Sequence, residues 1–161
     1  MTFDARSFRD TLGLFVTGVT IVTTRTLQGD PVGVTANSFN SVSIDPPLIL
    51  WSLAKGSGSL PAFELAGHFA VHILRRDQID LSNRFARSGE DKFSAVETSP
   101  GIGGVPVFDD CAARLECRTY NRHSAGDHKI FIGEVVKISS EPAAAPLLYH
   151  GGRYAGLSED L

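Results

Sequence analysis

The sequence has no apolar run long enough to cross a bilayer, and the segment 46–53 is only the length of a strand. Its first ten residues carry acidic side chains and no apolar stretch, so they do not resemble a signal peptide, and the cytoplasm is the expected location.

The sequence also has no excess of basic residues, because 15 Lys and Arg residues stand against 18 Asp and Glu residues, for a net charge of −3. This balance argues against a nucleic-acid partner, which needs surplus positive charge to neutralise phosphates.

Cysteine is scarce, and the two cysteines are not spaced for a disulfide. Cys111 and Cys117 lie six residues apart in a segment with the composition of a strand. In an extended chain their Cα atoms are roughly 20 Å apart, which is too far for a disulfide bond. We therefore expect two reduced thiols with a structural role.

The length and the apolar content fit one soluble globular domain. The chain has 161 residues, of which 42% are hydrophobic and 20% are charged. A chain of this size buries roughly two thirds of its unfolded surface, enough for one core. No repeat, linker or low-complexity tract divides it, so we expect a single domain over residues 1–161.

Short runs of β-branched and apolar residues dominate the chain, which predicts a mainly β protein with about seven strands and three short helices. Because strands mostly follow strands, an antiparallel barrel is expected rather than a doubly wound parallel sheet. The predicted strands are residues 19–25, 32–38, 48–53, 69–74, 113–120, 128–139 and a hairpin of 147–150 with 153–157 around Gly151-Gly152; the predicted helices are 4–15, 59–66 and 77–86. Residues 88–107 have little periodicity and predict a surface loop. Gly133, inside a strand, predicts a bulge or a close approach to a flat group.

The turn at residues 55–59 has the sequence Lys-Gly-Ser-Gly-Ser and joins a predicted strand to a predicted helix. Main-chain amides, two hydroxyls and an ammonium in such a turn can bind an anion. The alternative is a flexible solvated turn. The order of the residues excludes a Walker A loop.

Two further segments carry polar side chains that suit a heteroaromatic ligand. Asn37 and Ser38 end a strand and can both donate and accept hydrogen bonds, although they are also ordinary turn-forming residues. His128 follows a Gly-Asp turn and could bind a ligand, stack on a ring or move a proton, although a lone histidine is more often structural. His68 and His72 have a spacing seen in metal sites, but they bracket a strand and no third ligand matches, so no metal site is predicted.

Taken together, the segments resemble the short-chain flavin reductase family, the reductase components of two-component flavin monooxygenases. The resemblance covers almost the whole chain and rests on residues 15–20 (FVTGVT), 33–39 (GVTANSF), 41–48 (SVSIDPPL), 85–86 (FA), 126–128 (GDH), 132–135 (IGEV) and 146–154 (PLLYHGGRY). It implies an FMN-binding split β-barrel of antiparallel Greek-key type that forms a homodimer. It also implies FMN or FAD as flavin, NADH or NADPH as hydride donor, and a separate monooxygenase as partner.

The resemblance also implies site residues by their matching positions. Thr35, Ala36, Asn37 and Ser38 would lie near the isoalloxazine and ribityl chain, Ser52 and Leu53 would line the same site, Lys55, Ser57 and Ser59 would hold the phosphate, and Arg84 and Phe85 would add contacts. Arg153 and Tyr154 would close the site, with a second subunit as one possible source. His128 would lie beside the nicotinamide.

The chemistry of the family requires little acid-base catalysis by the protein. Hydride moves from the nicotinamide to the flavin, so the protein must hold two rings at reacting distance. Three rival functions stay open: a flavoprotein of the same fold that retains its flavin and acts on another small substrate, a non-catalytic flavin-binding subunit, and an enzyme like pyridoxamine phosphate oxidase. Neither the flavin nor the nicotinamide cofactor is decided by the sequence.

Overall fold

Strands hold more residues than helices in the computed structural model, which describes residues 2–89 and 91–158. The helices in that part of the chain are α1 (Ala5–Gly13), α2 (Leu60–Leu65) and α3 (Ile79–Ala86). The strands are β1 (Thr17–Gly18), β2 (Thr20–Arg25), β3 (Pro31–Ala36), β4 (Asn40–Ser43), β5 (Leu48–Ala54), β6 (His68–Ile73), β7 (Ser99–Pro100), β8 (Pro106–Val107), β9 (Ala113–Ala125), β10 (His128–Ser140), β11 (Leu148–His150) and β12 (Arg153–Ala155).

Seven strands form one antiparallel sheet in the order β3-β2-β6-β9-β10-β5-β4, which confirms the mainly β, antiparallel prediction. The predicted hairpin of β2 and β3 is present. Strand β4 was not predicted, because its polar residues lie on an exposed sheet edge and do not alternate with apolar ones. β5 alternates between buried and half-buried residues, as expected beside a core.

The β9–β10 hairpin extends further than the sequence predicts. β9 was expected to end at Tyr120 but continues to Ala125, and the turn Gly126-Asp127 then leads into β10. Gly126 has a φ of +58°, a conformation that glycine adopts without strain. The added residues are mostly polar and exposed, so no buried face marked them as a strand. The hairpin places His128 at the first position of β10.

Aromatic rings from three strands and one helix form the main core. Trp51 stacks on Phe131 at 4.9 Å between ring centroids and meets Phe63 edge-on at 4.8 Å. A β-bulge lies at Ile132/Gly133, and a Cβ at Gly133 would lie 2.4 Å from Cζ of Phe69. The prediction of a bulge or a close approach at this glycine is therefore confirmed.

A second cluster of buried side chains holds α3 against the sheet. Phe85 packs edge-on against Phe93 at 5.0 Å and against Phe108 at 5.4 Å, with Ile21 and Leu147 in the same cluster. These contacts fix the segment after α3 beside β3. In the described part of the predicted loop 88–107, the regular structure consists of β7, the 3-10 turn Ile102–Gly104 and β8.

A buried carboxylate fixes that 3-10 turn. Glu116 is only 1% exposed, and its Oε2 accepts the amide N–H of Ile102 at 2.7 Å. Its Oε1 lies 3.1 Å from Nε of Arg114 and 3.5 Å from Nζ of Lys137, which compensate the buried charge without ideal hydrogen-bond geometry.

The C-terminal hairpin has the predicted turn. β11 and β12 pair around Gly151 and Gly152, which have φ values of +56° and +78°, as a two-residue hairpin turn requires. β11 also pairs with β1, and the amide of Gly151 donates to the carbonyl of Gly13 at 2.8 Å. The C-terminal hairpin is thereby held against β1 and the last residue of α1.

The buried cysteines and the buried histidine have structural roles in the core. Cys111 and Cys117 are buried free thiols, as predicted. His72 is fully buried, and both of its ring nitrogens bond to main-chain groups. In residues 2–89 and 91–158, no group of three or more His, Cys, Asp or Glu side chains is arranged to hold a metal ion.

None of the helices that the structure describes combines the length and the apolar character needed to span a bilayer.

Candidate functional site

A cavity of about 740 Å³ lies between two parts of the fold. One wall is β3 together with the end of α3 and the segment after it. The other wall is the end of β5, the turn that follows β5, the start of α2, and His128. Its volume is in the range typical of small-molecule sites.

Ten of the fourteen candidate site residues line this one cavity, although they come from four separate parts of the chain. They are Thr35, Ala36, Asn37, Ser38, Ser52, Leu53, Ser57, Ser59, Phe85 and His128. The other four, Lys55, Arg84, Arg153 and Tyr154, do not line it in the single chain.

The hydroxyl of Ser38 joins the end of β3 to β5. Ser38 Oγ donates to the carbonyl of Ser52 and accepts the amide N–H of Ser52. This hydroxyl therefore builds the cavity instead of facing a ligand. Within the described part of the chain, the amide side chain of Asn37 and the hydroxyl of Ser52 form no hydrogen bond, so both are available to a ligand.

A chain of hydrogen bonds links the C-terminal hairpin to β3 through α3. Tyr154 Oη lies 2.8 Å from Oγ of Ser82 and donates to Oδ1 of Asn83 at 2.9 Å. The hydroxyl of Thr35 donates to the carbonyl of Ser82 at 2.6 Å. Tyr154 thus supports the cavity wall from behind α3.

The Gly/Ser-rich turn lies between β5 and α2, as predicted. Lys55 Nζ donates to the carbonyl of Gly126 at 2.7 Å, so its ammonium fixes the turn to the β9–β10 turn. Ser57 Oγ accepts the amide N–H of Ser59 at 3.3 Å. The amides of Gly56 and Gly58 bond to no other group in the described residues, and the Ser59 hydroxyl does not cap α2. The turn therefore offers amides and a hydroxyl to an anion, whereas α2, with six residues, adds little dipole.

His128 is oriented by the residue before it. Its Nδ1 lies 2.7 Å from Oδ1 of Asp127. Hydrogen bonding to His128, followed by its charge, lowers the pKa of Asp127, so this carboxylate is ionised at neutral pH and only accepts. Nδ1 therefore carries the proton, and Nε2 is the nitrogen left for a ligand. The side chain is 48% exposed, so a second molecule can reach it.

Lys92, Arg87, Phe93 and Gly33 also line the cavity, and none of them was among the predicted site residues. Lys92 Nζ donates to the carbonyls of Gly33 and Phe85 at 3.1 and 3.2 Å. Burial lowers the pKa of Lys92 from its ordinary value. A Cβ at Gly33 would lie 2.6 Å from Cε1 of Phe85, so only glycine leaves room for this ring. The local sequence around Lys92 has no periodicity, so no sequence signal marked Lys92 as a cavity residue.

The fold and this cavity define a class of protein: a β-sheet protein whose cavity suits a flat ligand that carries an anionic group. No pair of carboxylates positioned for acid-base catalysis lines the cavity among the described residues, where Asp91 is the one acidic side chain. Open amides on one wall suit a phosphate, and aromatic and small residues suit a ring.

Comparison with known proteins identifies the family. The model described as "Flavin reductase like domain" matches residues 12–158. FMN reductase (NADH) SmoA of Agrobacterium fabrum is 48% identical over 155 residues, covering 96% of this chain and 87% of SmoA. The flavin-dependent monooxygenase reductase subunit HsaB of Mycobacterium tuberculosis is 38% identical over 160 residues, covering 98% of this chain and 84% of HsaB.

A solved structure leads to the same family. The NADH:FAD oxidoreductase SgcE6 of Streptomyces globisporus, in complex with NAD and FAD fragments, superposes with a TM-score of 0.91 at 36% identity, covering 98% of this chain and 94% of that one. The chain therefore belongs to the flavin reductase family, and the resemblance drawn from the sequence is confirmed.

Proposed function

We propose that this protein is a flavin reductase that uses NADH or NADPH to reduce FMN or FAD and supplies the reduced flavin to a separate monooxygenase. The observation that carries the proposal is that polar strand ends, a Gly/Ser-rich turn and His128 all line one cavity in a member of this family. The bound cofactors supply the chemistry, a hydride transfer from the nicotinamide to the flavin. The protein supplies binding and orientation.

The residues of the cavity fit a flavin nucleotide. The absence of a side chain at Gly33 leaves space that a Cβ would take from Phe85, and the open amide of Gly58, which lines the cavity, suits a phosphate. Thr35, Ala36, Asn37, Ser38, Ser52, Leu53 and Phe85 would hold the ring and ribityl chain, while Ser57 and Ser59 would hold the phosphate. Ser38 and Thr35 would act mainly through their main chain, because their hydroxyls bond within the protein.

His128 would position the nicotinamide through Nε2. The Asp127 carboxylate accepts a hydrogen bond from Nδ1 and orients the ring, which leaves Nε2 to bond to the ligand. A positioning role requires no change in protonation during the reaction.

The remaining candidates would act indirectly or from a second subunit. Lys55 would support phosphate binding by fixing the turn to Gly126, and Arg84 is half-buried on α3, beside the cavity wall. Arg153 is exposed on the C-terminal hairpin, where it and Tyr154 could reach the cavity of a second copy.

The sheet would close as a split barrel in a single domain over residues 1–161. The two Ser38–Ser52 hydrogen bonds support this proposal, because they connect the end of edge strand β3 to β5, five positions away from β3 in the sheet order. They join one edge of the sheet to the strand beside its other edge through a side chain.

A homodimer is supported by apolar residues that the single chain leaves exposed. α1 buries none of its residues, and Phe8, Leu12 and Phe15 are 50%, 57% and 77% exposed. Ile44 and Ile138 are 91% and 72% exposed. Exposed apolar groups of this extent are typical of interfaces between subunits. Light scattering should therefore give twice the monomer mass, and Phe15→Asp should lower it.

The cytoplasm is the proposed location, in agreement with two buried thiols that remain reduced.

A steady-state assay tests the function. NADH and NADPH oxidation is measured against FMN, FAD and riboflavin, with stopped-flow detection of reduced flavin leaving the protein. His128→Ala should raise the KM for the nicotinamide nucleotide by roughly tenfold, whereas His123→Ala, on exposed β9, is the matched control. No nicotinamide oxidation with any flavin would overturn the proposal in favour of a non-catalytic flavin-binding subunit. Activity in which the reduced flavin never leaves would favour a flavoprotein with a retained flavin.

A further inference from the structure

Lys92 places a positive charge in the cavity that the proposed function does not yet use. Its ammonium is half-buried, and its two hydrogen-bond partners, the carbonyls of Gly33 and Phe85, are uncharged. Among the described residues no carboxylate lies within ion-pair distance of it. An ammonium has three N–H donors, so one donor remains after these two bonds.

The position of Lys92 separates it from the Gly/Ser-rich turn. Gly33 lies in β3 and Phe85 near the end of α3, so Lys92 belongs to the wall formed by these two elements. Ser57 and Ser59 belong to the other wall, after β5. Lys55, the lysine of the turn, directs its ammonium to Gly126 and does not line the cavity.

We propose that Lys92 forms a second phosphate-binding point in the cavity, which takes a phosphate group of whichever nucleotide the Ser57–Ser59 turn does not hold. This inference rests on the proposed function, in which two phosphate-bearing nucleotides occupy one cavity. Partial burial disfavours the charged form of Lys92 and lowers its pKa. An anionic ligand beside the ammonium would stabilise the charged form again. Arg87, on the same wall and exposed, adds to the attraction.

A purely structural role is the competing explanation. Through its two carbonyl contacts, Lys92 also ties the segment after α3 to β3. Loss of such a tie would loosen the wall and weaken every ligand, whether or not the ligand has a phosphate. A phosphate-binding role instead separates ligands by charge.

The test compares Lys92→Met and Lys92→Arg with Arg9→Met, which removes one positive charge from an exposed side chain of α1. Binding is measured without turnover: FMN and riboflavin by quenching of flavin fluorescence, and NADH by its own fluorescence, at low and high salt. We expect Lys92→Met to weaken one phosphate-bearing ligand by roughly tenfold and riboflavin by less than about threefold. The loss should shrink at high salt, and Lys92→Arg should restore most of the binding.

The ligands identify the source of the phosphate. Weaker NADH binding with unchanged FMN assigns the point to the nicotinamide nucleotide, whereas weaker FMN binding with unchanged riboflavin assigns it to the flavin. Equal losses of affinity for riboflavin, FMN and NADH would overturn the proposal and show that Lys92 has a structural role. Unchanged affinity for all three ligands would also overturn it.

Binding of pyrophosphate tests the phosphate-binding role of Lys92 independently of the proposed reductase activity. It should raise the Tm of the wild type and of Arg9→Met by more than the Tm of Lys92→Met, which keeps only the Ser57–Ser59 turn as a phosphate-binding point. That result would support the phosphate-binding point even if the protein oxidised no nicotinamide nucleotide. An equal rise in all three proteins would overturn it even if the protein were an active reductase.

Discussion

His72 accepts the amide N–H of Phe108 on Nε2 at 3.1 Å, while its Nδ1 lies 3.0 Å from the carbonyl of Ile21. A carbonyl only accepts, so Nδ1 carries the proton and the imidazole is neutral. The ring is fully buried and joins β6 to the segment after β8. A second proton would have to sit on Nε2, where it would break the bond to Phe108.

Acid should destabilise the protein through His72. Burial, the largest cause, lowers the pKa of His72 from 6.5 to about 4. The unfolded chain therefore binds more protons between these values, and the free energy of unfolding falls as the pH drops from about 6.5 to 4. The loss contributed by His72 should approach about 3 kcal/mol.

Denaturant unfolding at several pH values measures this loss. His72→Gln is less stable at neutral pH but should have a flatter pH dependence, whereas exposed His123→Gln should keep the wild-type slope. A His72→Gln protein that still had the wild-type slope between pH 6.5 and 4 would show that another group causes the acid sensitivity.

Removal of the Ser38 hydroxyl should damage the cavity more than the overall fold. Ser38→Ala loses two hydrogen bonds, at 3.0 and 2.9 Å, with the main chain of Ser52. We expect a loss of about 1 kcal/mol in unfolding free energy and several-fold weaker FMN binding, measured by chemical denaturation and flavin fluorescence. Ser41→Ala, on exposed β4, is the control. Unchanged FMN affinity in Ser38→Ala would contradict the role of this contact.

A methyl group at Gly33 should collide with the aromatic wall of the cavity. The Cβ of Gly33→Ala would lie 2.6 Å from Cε1 of Phe85 and 3.2 Å from Cζ of Phe93. Overpacking of this kind costs about 1–3 kcal/mol, and displaced rings should weaken riboflavin as well as FMN. Gly18→Ala is the control, because nothing lies within 4 Å of its added Cβ. Wild-type stability and riboflavin affinity would show that the wall adapts freely.

Loss of the Asp127 charge should affect the nicotinamide nucleotide through His128. Asp127→Asn removes the carboxylate that holds Nδ1 of His128 at 2.7 Å. Because both side chains are well exposed, we expect only about a threefold rise in the KM for NADH, with kcat and the KM for FMN little changed. Glu141→Gln, an exposed carboxylate near Arg75, is the matched control. A larger effect on FMN than on NADH would place His128 against the flavin instead.

Local chemistry explains which parts of the fold could be predicted. The hairpins around Gly126-Asp127 and Gly151-Gly152 and the bulge at Gly133 follow from turn and backbone preferences of residues close in sequence. β4 and the end of β9 escaped prediction, because exposed polar strands have no apolar alternation to mark them.

The sequence by itself determined most of the longer strands, most turns, the reduced thiols and most of the segments that supply the cavity, because each depends on neighbouring residues or on a recognisable motif. Only the tertiary structure decided that Lys92 and not Lys55 lines the cavity, that Ser38 bonds to Ser52, and that Tyr154 supports α3. These contacts join residues 14 to 72 positions apart. They depend on the order of seven strands in one sheet, which no local pattern encodes.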